Sequence, residues 1–232
     1  MVDPSIHTDH LPPIKAARLR QGFVSIFAIA FCFVIPHYAQ LTIFIYPIVV
    51  LVITWLLLKY FYKENFTNLL FSFKRFEFKA AWIGIAAAIL LSCFFQFVWG
   101  PFIDKILPSG KIDYSDFSGI RGNISNYIIT LLLALVVGGF YEEIIFHGFI
   151  FTRFEKMFRG KNKLALSLVL SNIIFGLYHC QMGIKEVLLA MIAGFAYHIL
   201  ILKFNRNLWY GLFFHACFDF IGITLIFLGY LS

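Results

Sequence analysis

The chain has 232 residues, of which 61% are hydrophobic and 13% are charged, and its mean hydropathy is +0.85. Soluble globular domains contain about 45–50% apolar and roughly 25% charged residues, so this composition excludes that class and is typical of membrane proteins. The net charge of +7 comes from basic residues between apolar segments and not along one face, which argues against a nucleic-acid partner.

Seven apolar segments follow one another along the chain, and most are long enough to cross a bilayer as a helix. They are residues 22–36, 41–58, 81–100, 124–152, 164–180, 186–202 and 208–230. The first two are separated by no charged residue, and we place the helix break at Pro36 and His37 because proline ends or kinks a helix. The pattern predicts an all-α, polytopic integral membrane protein with about seven transmembrane helices in one bundle. We expect a single transmembrane domain at 22–230 after an N-terminal segment at 1–21.

The basic residues alternate between the two sides of the predicted membrane. Segments 1–21, 59–80, 153–163 and 203–207 together hold 15 of the 19 Lys and Arg residues, and the other connections hold 4. The positive-inside rule then predicts a cytoplasmic N-terminus and an outside C-terminus. The basic and aromatic residues of 59–80 predict an amphipathic stretch at the cytoplasmic interface. The compact chain favours a bacterial cell (inner) membrane.

Two adjacent carboxylates, Glu142 and Glu143, interrupt the fourth apolar segment in the sequence YEEIIFHG. A carboxylate at the bilayer centre costs about 2.5–3.5 kcal/mol on insertion scales, so such residues usually mark a functional site. The segment continues for two more helical turns before Arg153, so the pair does not lie at the membrane interface. We therefore expect both glutamates to face polar partners on other helices.

The three later segments supply ionisable partners, namely His179, His198, His215 and Asp219, and His147 lies four residues after Glu143 in the same segment. His215 and Asp219 are four residues apart and therefore share one helical face. With a rise of about 1.5 Å per residue, Glu142, His179 and His215 fall within about 10 Å of one another in depth. We interpret His198, near the inner end of its segment, as a lone, hydrogen-bonded packing residue.

Three kinds of chemistry suit two carboxylates with histidines and an aspartate. In a hydrolase, a desolvated glutamate acts as general base on a water while histidines orient that water or stabilise an oxyanion. In a metal site, two histidines and a carboxylate would bind Zn²⁺, although the chain has no HExxH motif. In a transporter, intramembrane Glu, His and Asp side chains relay protons.

Three motifs in residues 124–220 resemble those of the CPBP family, the intramembrane proteases that include the type II CAAX prenyl endopeptidases and the bacteriocin-processing proteins. The matching residues are Glu142, Glu143 and Gly148 in EEIIFHG, Phe175 and His179 in FGLYH, and His215 and Asp219 in HACFD. The chain departs from the family at His147, which stands where the family has an arginine.

This resemblance implies an intramembrane endopeptidase with its catalytic core in 124–220. Glu142 would be the general base that activates water, Glu143 would support the site, and His179 would hold the water. His215 and Asp219 would stabilise the tetrahedral intermediate. The resemblance further implies a membrane-embedded or lipid-modified peptide or protein as substrate.

His147 and Phe175 are the predicted supporting residues. Imidazole cannot clamp a carboxylate in the two-pronged way of a guanidinium, so His147 raises an alternative function. In that alternative, the chain is a catalytically inactive family member that serves as a bacteriocin-immunity or scaffold protein of the membrane. Metal-dependent and metal-free glutamate mechanisms are both argued for the family, so the sequence leaves open whether the cofactor is none or zinc.

Overall fold

The computed structural model describes residues 13–39 and 41–231, with side chains from Leu19 onward, and within these ranges it contains helices and no β-strand. Seven apolar helices follow one another, and we number them in chain order. They are α1 Pro13–Tyr38, α2 Tyr46–Tyr62, α3 Phe78–Ile106, α4 Ile124–Met157, α5 Lys163–Tyr178, α6 Ile184–Lys203 and α7 Leu208–Phe227. Most of the predicted N-terminal segment 1–21 lies outside the described residues.

Each predicted apolar segment coincides with one of these helices. Five helices are long and apolar enough to cross a membrane, namely α1, α3, α4, α6 and α7, whereas α2 and α5 are shorter. The all-α, polytopic membrane fold is therefore confirmed. The largest difference in bounds is in α1, which begins at Pro13 and not at residue 22.

The predicted helix break at Pro36 and His37 is wrong by two residues, because α1 includes Pro36 and ends at Tyr38. A proline in the last turn removes only one backbone N–H, so it does not prevent the helix from ending slightly later. The imidazole of His37 fixes this end of α1. Its Nδ1 lies 2.8 Å from the carbonyl oxygen of Phe33, and its Nε2 lies 2.9 Å from that of Tyr178 at the end of α5.

Three of the basic connections meet at one end of the bundle. Arg153 donates to Glu64 with an Nη2–Oε2 distance of 2.5 Å, which joins the end of α2 to the end of α4. Arg206, between α6 and α7, forms an ion pair with Glu155 of α4. Arg75 donates from Nη1 to the carbonyl oxygen of Arg206 at 3.0 Å. These contacts place 59–80, 153–163 and 203–207 together, as the charge distribution predicts for one side of a membrane.

The remaining connections meet at the opposite end. The backbone N–H of Asp113 donates to the carbonyl oxygen of Met182 at 2.9 Å, and Arg121 donates to that of Leu231 at 2.8 Å. Each of these contacts between described residues therefore joins connections of the same predicted side. The side that faces the cytoplasm stays a prediction.

Segment 59–80 exposes the aromatic side chains of Tyr60, Phe73 and Phe78 and buries a few apolar residues, so it is amphipathic, and its place at the cytoplasmic interface stays a prediction. After α2 it forms two short 3₁₀ turns, Phe66–Leu69 and Phe73–Arg75, and the side chain of Leu69 is fully buried. The carbonyl oxygen of Leu70 accepts the backbone N–H of Leu208 at 3.1 Å. The segment therefore packs against the start of α7, because its apolar residues find protein and not only lipid.

Close helix packing places α4 and α7 in the interior. The long helix α3 runs along α7, and a Cβ added at Gly84 would lie 2.7 Å from the Cβ of Phe213, so glycine permits this approach. Helix α4 packs against α7, α5 and α2. The segment of α4 that carries the two glutamates is therefore surrounded by protein.

Candidate active site

The central part of α4, Leu135–Ile150, winds as a π-helix in which backbone hydrogen bonds join residues five apart. Long π-helical runs are rare, and π turns occur frequently at functional sites. All residues in 141–150 are buried, including Glu142, Glu143 and His147. The predicted site therefore lies on the least regular and most enclosed helical segment of the described chain.

Two glycines one turn before the glutamates allow α7 to approach α4. A Cβ added at Gly139 would lie 2.9 Å from the Cβ of Ala216. A Cβ added at Gly138 would overlap the carboxyl oxygen Oδ2 of Asp219. This approach brings the face of α7 that carries His215 and Asp219 against the glutamates of α4.

Glu142 faces two imidazoles from two different helices. Its Oε2 lies 3.8 Å from Nε2 of His179 and 3.9 Å from Nε2 of His215. Both distances exceed those of direct hydrogen bonds. Polar atoms at this separation are typically bridged by a water, and one water oxygen can reach the carboxylate and an imidazole nitrogen together.

His179 follows the last residue of α5, and its orientation is set by its own helix. Its Nδ1 lies 2.9 Å from the carbonyl oxygen of Phe175, and the two rings pack edge to face at 4.9 Å. Because a carbonyl oxygen only accepts, Nδ1 must carry the donated proton, so Nε2 of the neutral ring is an acceptor. The acceptor nitrogen of His179 therefore faces Glu142.

His215 of α7 connects the two glutamates. Its Nδ1 lies 3.1 Å from Oε1 of Glu143, and its Nε2 lies 3.6 Å from Oδ1 of Asp219. The ring of Tyr197 stacks on it with centroids 4.7 Å apart. A Cβ added at Gly211 would lie 2.5 Å from Oε2 of Glu143, so this glycine makes room for the second carboxylate.

A buried chain of polar groups extends from Glu143 to α5. Asn172 donates from Nδ2 to the carbonyl oxygen of Leu168 at 2.8 Å, which directs its Oδ1 toward Nδ1 of His198 at 3.2 Å. Nδ1 of His198 must then carry a proton, so Nδ1 of His147, 2.9 Å away, accepts. His147 therefore has its proton on Nε2, which faces Oε1 of Glu143 at 3.6 Å.

This chain of hydrogen-bonded polar side chains was not predicted from the sequence. His198 is a buried, hydrogen-bonded packing residue as expected, but its partner His147 was not predicted. Asn172 and Tyr197 were not singled out at all. A signal was present, since Asn172 is a polar amide inside an apolar segment and has zero exposure in the structure.

The two halves of the cluster differ in access. Glu143, His147 and His198 are fully buried. The side chains of Glu142 and His179 retain 9% and 17% of their exposure. Asp219 retains 25%. Glu142, His179 and Asp219 are therefore the more exposed half of the cluster, whereas Glu143 and its partners are fully enclosed.

The cluster contains ligand types that a zinc ion uses, and the requirement for a metal stays open. Two histidines and a carboxylate would suit zinc chemically. Within the described residues, however, no group of three or more His, Cys, Asp or Glu side chains is arranged to hold a metal ion.

The helices and the buried cluster define a polytopic helical membrane protein with a carboxylate–histidine centre inside its bundle. Residues 124–221 match the family model of the Rce1-like proteins, described as type II CAAX prenyl endopeptidase Rce1-like. The match confirms the resemblance to the CPBP (CAAX protease) family in the segment that carries the three motifs. No curated protein and no solved structure matches the chain significantly. At the level of the family, the match supports a CAAX protease-like hydrolase.

Proposed function

We propose that the protein is an intramembrane endopeptidase that hydrolyses a membrane-embedded or lipid-modified peptide or protein. One observation carries the proposal beyond the family match. The carboxylate of Glu142 lies 3.8 and 3.9 Å from Nε2 of two histidines on two other helices, in the more exposed half of the cluster. This spacing suits a water that one carboxylate deprotonates.

The first step is attack of that water on the scissile carbonyl carbon. The water donates one hydrogen to Glu142 and the other to Nε2 of His179, whose Nδ1 proton is held by the carbonyl oxygen of Phe175. The remaining lone pair of the water oxygen forms the new C–O bond as Glu142 takes the first proton. His179 therefore orients the water, and Glu142 is the general base.

The second step needs a donor for the oxyanion and a proton for the leaving amine. His215 serves as the donor when both of its ring nitrogens carry a proton: Nε2 then donates to the oxyanion, and Nδ1 donates to Oε1 of the Glu143 carboxylate at 3.1 Å. Collapse of the tetrahedral intermediate breaks the C–N bond, and Glu142 returns its proton to the amine nitrogen. The products are a carboxylic acid, which keeps the second hydrogen of the water until it transfers it to the amine or to solvent, and an amine, and the site is regenerated.

Asp219 and Glu143 act through His215 in this scheme. An ionised aspartate only accepts hydrogen bonds, so Asp219 cannot itself donate to an oxyanion. Its Oδ1, 3.6 Å from Nε2 of His215, instead favours a proton on that nitrogen. Glu143 holds the opposite side of the ring. Both carboxylates are therefore assigned to the orientation of His215.

His147 supports a second candidate function. A guanidinium at this position could bind both oxygens of Glu143. Among the described residues, Nε2 of His147 and Oε2 of Glu143 have no partner at hydrogen-bond distance. The alternative is a catalytically inactive member that acts as a bacteriocin-immunity or scaffold protein of the membrane.

A comparison of peptide termini distinguishes the two functions. Membrane and secreted fractions would be collected from cells that carry wild type, Glu142→Gln or Glu77→Gln at equal abundance. Glu77 is a matched control because its acceptor role toward the Tyr210 hydroxyl, at 3.1 Å, is retained by an amide oxygen. If the protein is a peptidase, some termini should occur with wild type and Glu77→Gln but not with Glu142→Gln. Identical termini in all three strains would favour the inactive member.

We also propose that the protein lies in a bacterial inner membrane, with residues 22–230 as one transmembrane domain and the N-terminus in the cytoplasm. The support is the 15 to 4 division of basic residues between the two sides. Reporter fusions that are active only in the cytoplasm or only outside it test this orientation. The N-terminal fusion should report the cytoplasm, and the C-terminal fusion should report the outside.

A further inference from the structure

A second polar cluster lies at the basic end of the bundle, in a cavity of about 660 Å³ between the start of α1 and the ends of α2 and α4. Its most buried member is Arg153, which follows Glu142 by 11 residues on the same helix. No residue that lines the cavity belongs to the carboxylate–histidine cluster, so the two sites are distinct.

The lining of this cavity carries excess positive charge. The guanidinium of Arg153 is 1% exposed and binds Glu64, whose Oε2 also lies 2.6 Å from Nζ of Lys156. Arg159 lines the same cavity and forms no ion pair with any described residue. Arg153 and Lys156 thus share the carboxylate of Glu64, and Arg159 adds a third cation to the lining.

One donor of this cluster is left without a partner. Nε of Arg153 is buried and has no hydrogen-bond partner among the described residues. A buried guanidinium nitrogen without an acceptor is unfavourable, and an anionic ligand would supply that acceptor. The carboxylate of Glu64 does not balance the positive charge of the lining, and this excess charge favours the binding of an anion.

The wall that α1 contributes carries three exposed apolar side chains beside Gln21 and Ser25. Leu19, Phe23 and Ile26 follow the spacing i, i+4, i+7 on one face of α1, and their exposed fractions are 51%, 71% and 55%. This helix is long and apolar enough to cross a membrane. If the charged group of a lipid contacts Lys156 and Arg159, its hydrocarbon chains can therefore lie along α1.

We propose that this cavity binds the phosphate headgroup of an anionic phospholipid. The shared chemistry is a phosphate anion, and the exposed apolar side chains of α1 favour the lipid as its source over a soluble phosphate. Basic pockets between transmembrane helices on the cytoplasmic side are suited to anionic headgroups, which are enriched in that leaflet. The predicted orientation places this end of the bundle there.

The test is native mass spectrometry of the purified full-length protein in detergent, with added phosphatidylglycerol, phosphatidylcholine of the same chains, or inorganic phosphate. The test variant is Lys156→Gln with Arg159→Gln, which leaves the Arg153–Glu64 pair intact. The control is Lys161→Gln with Lys163→Gln, which removes equal charge from the same connection but not from the cavity lining. A third variant, Arg159→Gln, removes only the unpaired cation.

Wild type and control should retain phosphatidylglycerol, and the test variant should bind it about 30-fold more weakly, since each basic residue near an anionic surface contributes about 1 kcal/mol. Arg159→Gln should show about a 5-fold loss. Equal retention by the test variant and the control would overturn the proposal. So would equal retention of phosphatidylcholine, or binding of inorganic phosphate as tight as that of the lipid.

Discussion

The packing of Gly211 against Glu143 permits a direct test of the site geometry. In Gly211→Ala, the new methyl group would lie 2.5 Å from Oε2 of Glu143 and 2.6 Å from Cδ1 of Ile201. Both distances are far inside van der Waals contact, and the glutamate is held by His215, so helix α7 must shift. Overpacking of this kind costs about 1–3 kcal/mol.

The effect on catalysis should exceed the effect on folding. A displacement of about 1 Å in a catalytic arrangement can reduce the rate about 10²-fold, and His215 lies one turn from Gly211 on the same helix. We expect Gly211→Ala to lower the unfolding temperature and to reduce production of the new peptide termini strongly.

The matched control is Gly222→Ala on the same helix, where an added Cβ meets nothing within 4 Å. Alanine is favoured over glycine in a helix interior by about 0.5–1 kcal/mol, so this variant should be as stable as wild type or slightly more stable. Thermal unfolding in detergent and the terminus comparison would be measured for both. If Gly211→Ala matched Gly222→Ala in stability and activity, the placement of Glu143 against α7 would be refuted.

Three further predictions follow from the same structure. Burial alone would raise the pKa of Glu64, but Arg153 and Lys156 outweigh burial and lower that pKa below 4.5. The ion pairs of Glu64 therefore stabilise the fold fully above pH 4.5, and this contribution is lost as the pH falls. Unfolding temperatures measured from pH 3 to 7 should fall more steeply below about pH 4.5 in wild type than in Glu64→Gln, and parallel curves would contradict this. His147→Arg alone should lower activity, because the ring centroid of His198 lies 4.4 Å from that of His147 and occupies the space that a longer side chain needs. Adding His198→Ala should restore activity. Full activity of the single variant would be inconsistent with this packing. Dialysis against a metal chelator should leave peptide cleavage unchanged, and a loss that zinc reverses would show a metal requirement.

The helical segments could be predicted from the sequence, because long apolar runs indicate a lipid environment, in which the backbone forms helices. Each of the seven apolar segments became a helix, and the basic connections grouped at one end. The sequence could not show that α4 winds as a π-helix over Leu135–Ile150, because that depends on packing against α7 and not on local propensity. The end of α1 depended similarly on a tertiary contact, between His37 and Tyr178.

The motif residues of the site were found from spacing, but their partners were not. Spacing of four residues predicts shared faces, so His215 with Asp219 and Phe175 with His179 could be paired in advance. The contact between His147 and His198 joins residues 51 apart, and no periodicity reports it. The catalytic roles of the motif residues stay predictions.

The central claim, that Glu142 activates water for peptide hydrolysis, is tested most directly with purified protein in liposomes. The substrate would be the peptide that the terminus comparison identifies, and cleavage would be followed in ¹⁸O-labelled water. Wild type and Glu77→Gln should cleave and place one ¹⁸O in the new carboxyl group, whereas Glu142→Gln should be slower by about 10²–10⁴-fold with its fold intact. Cleavage by folded Glu142→Gln at the wild-type rate would contradict the account.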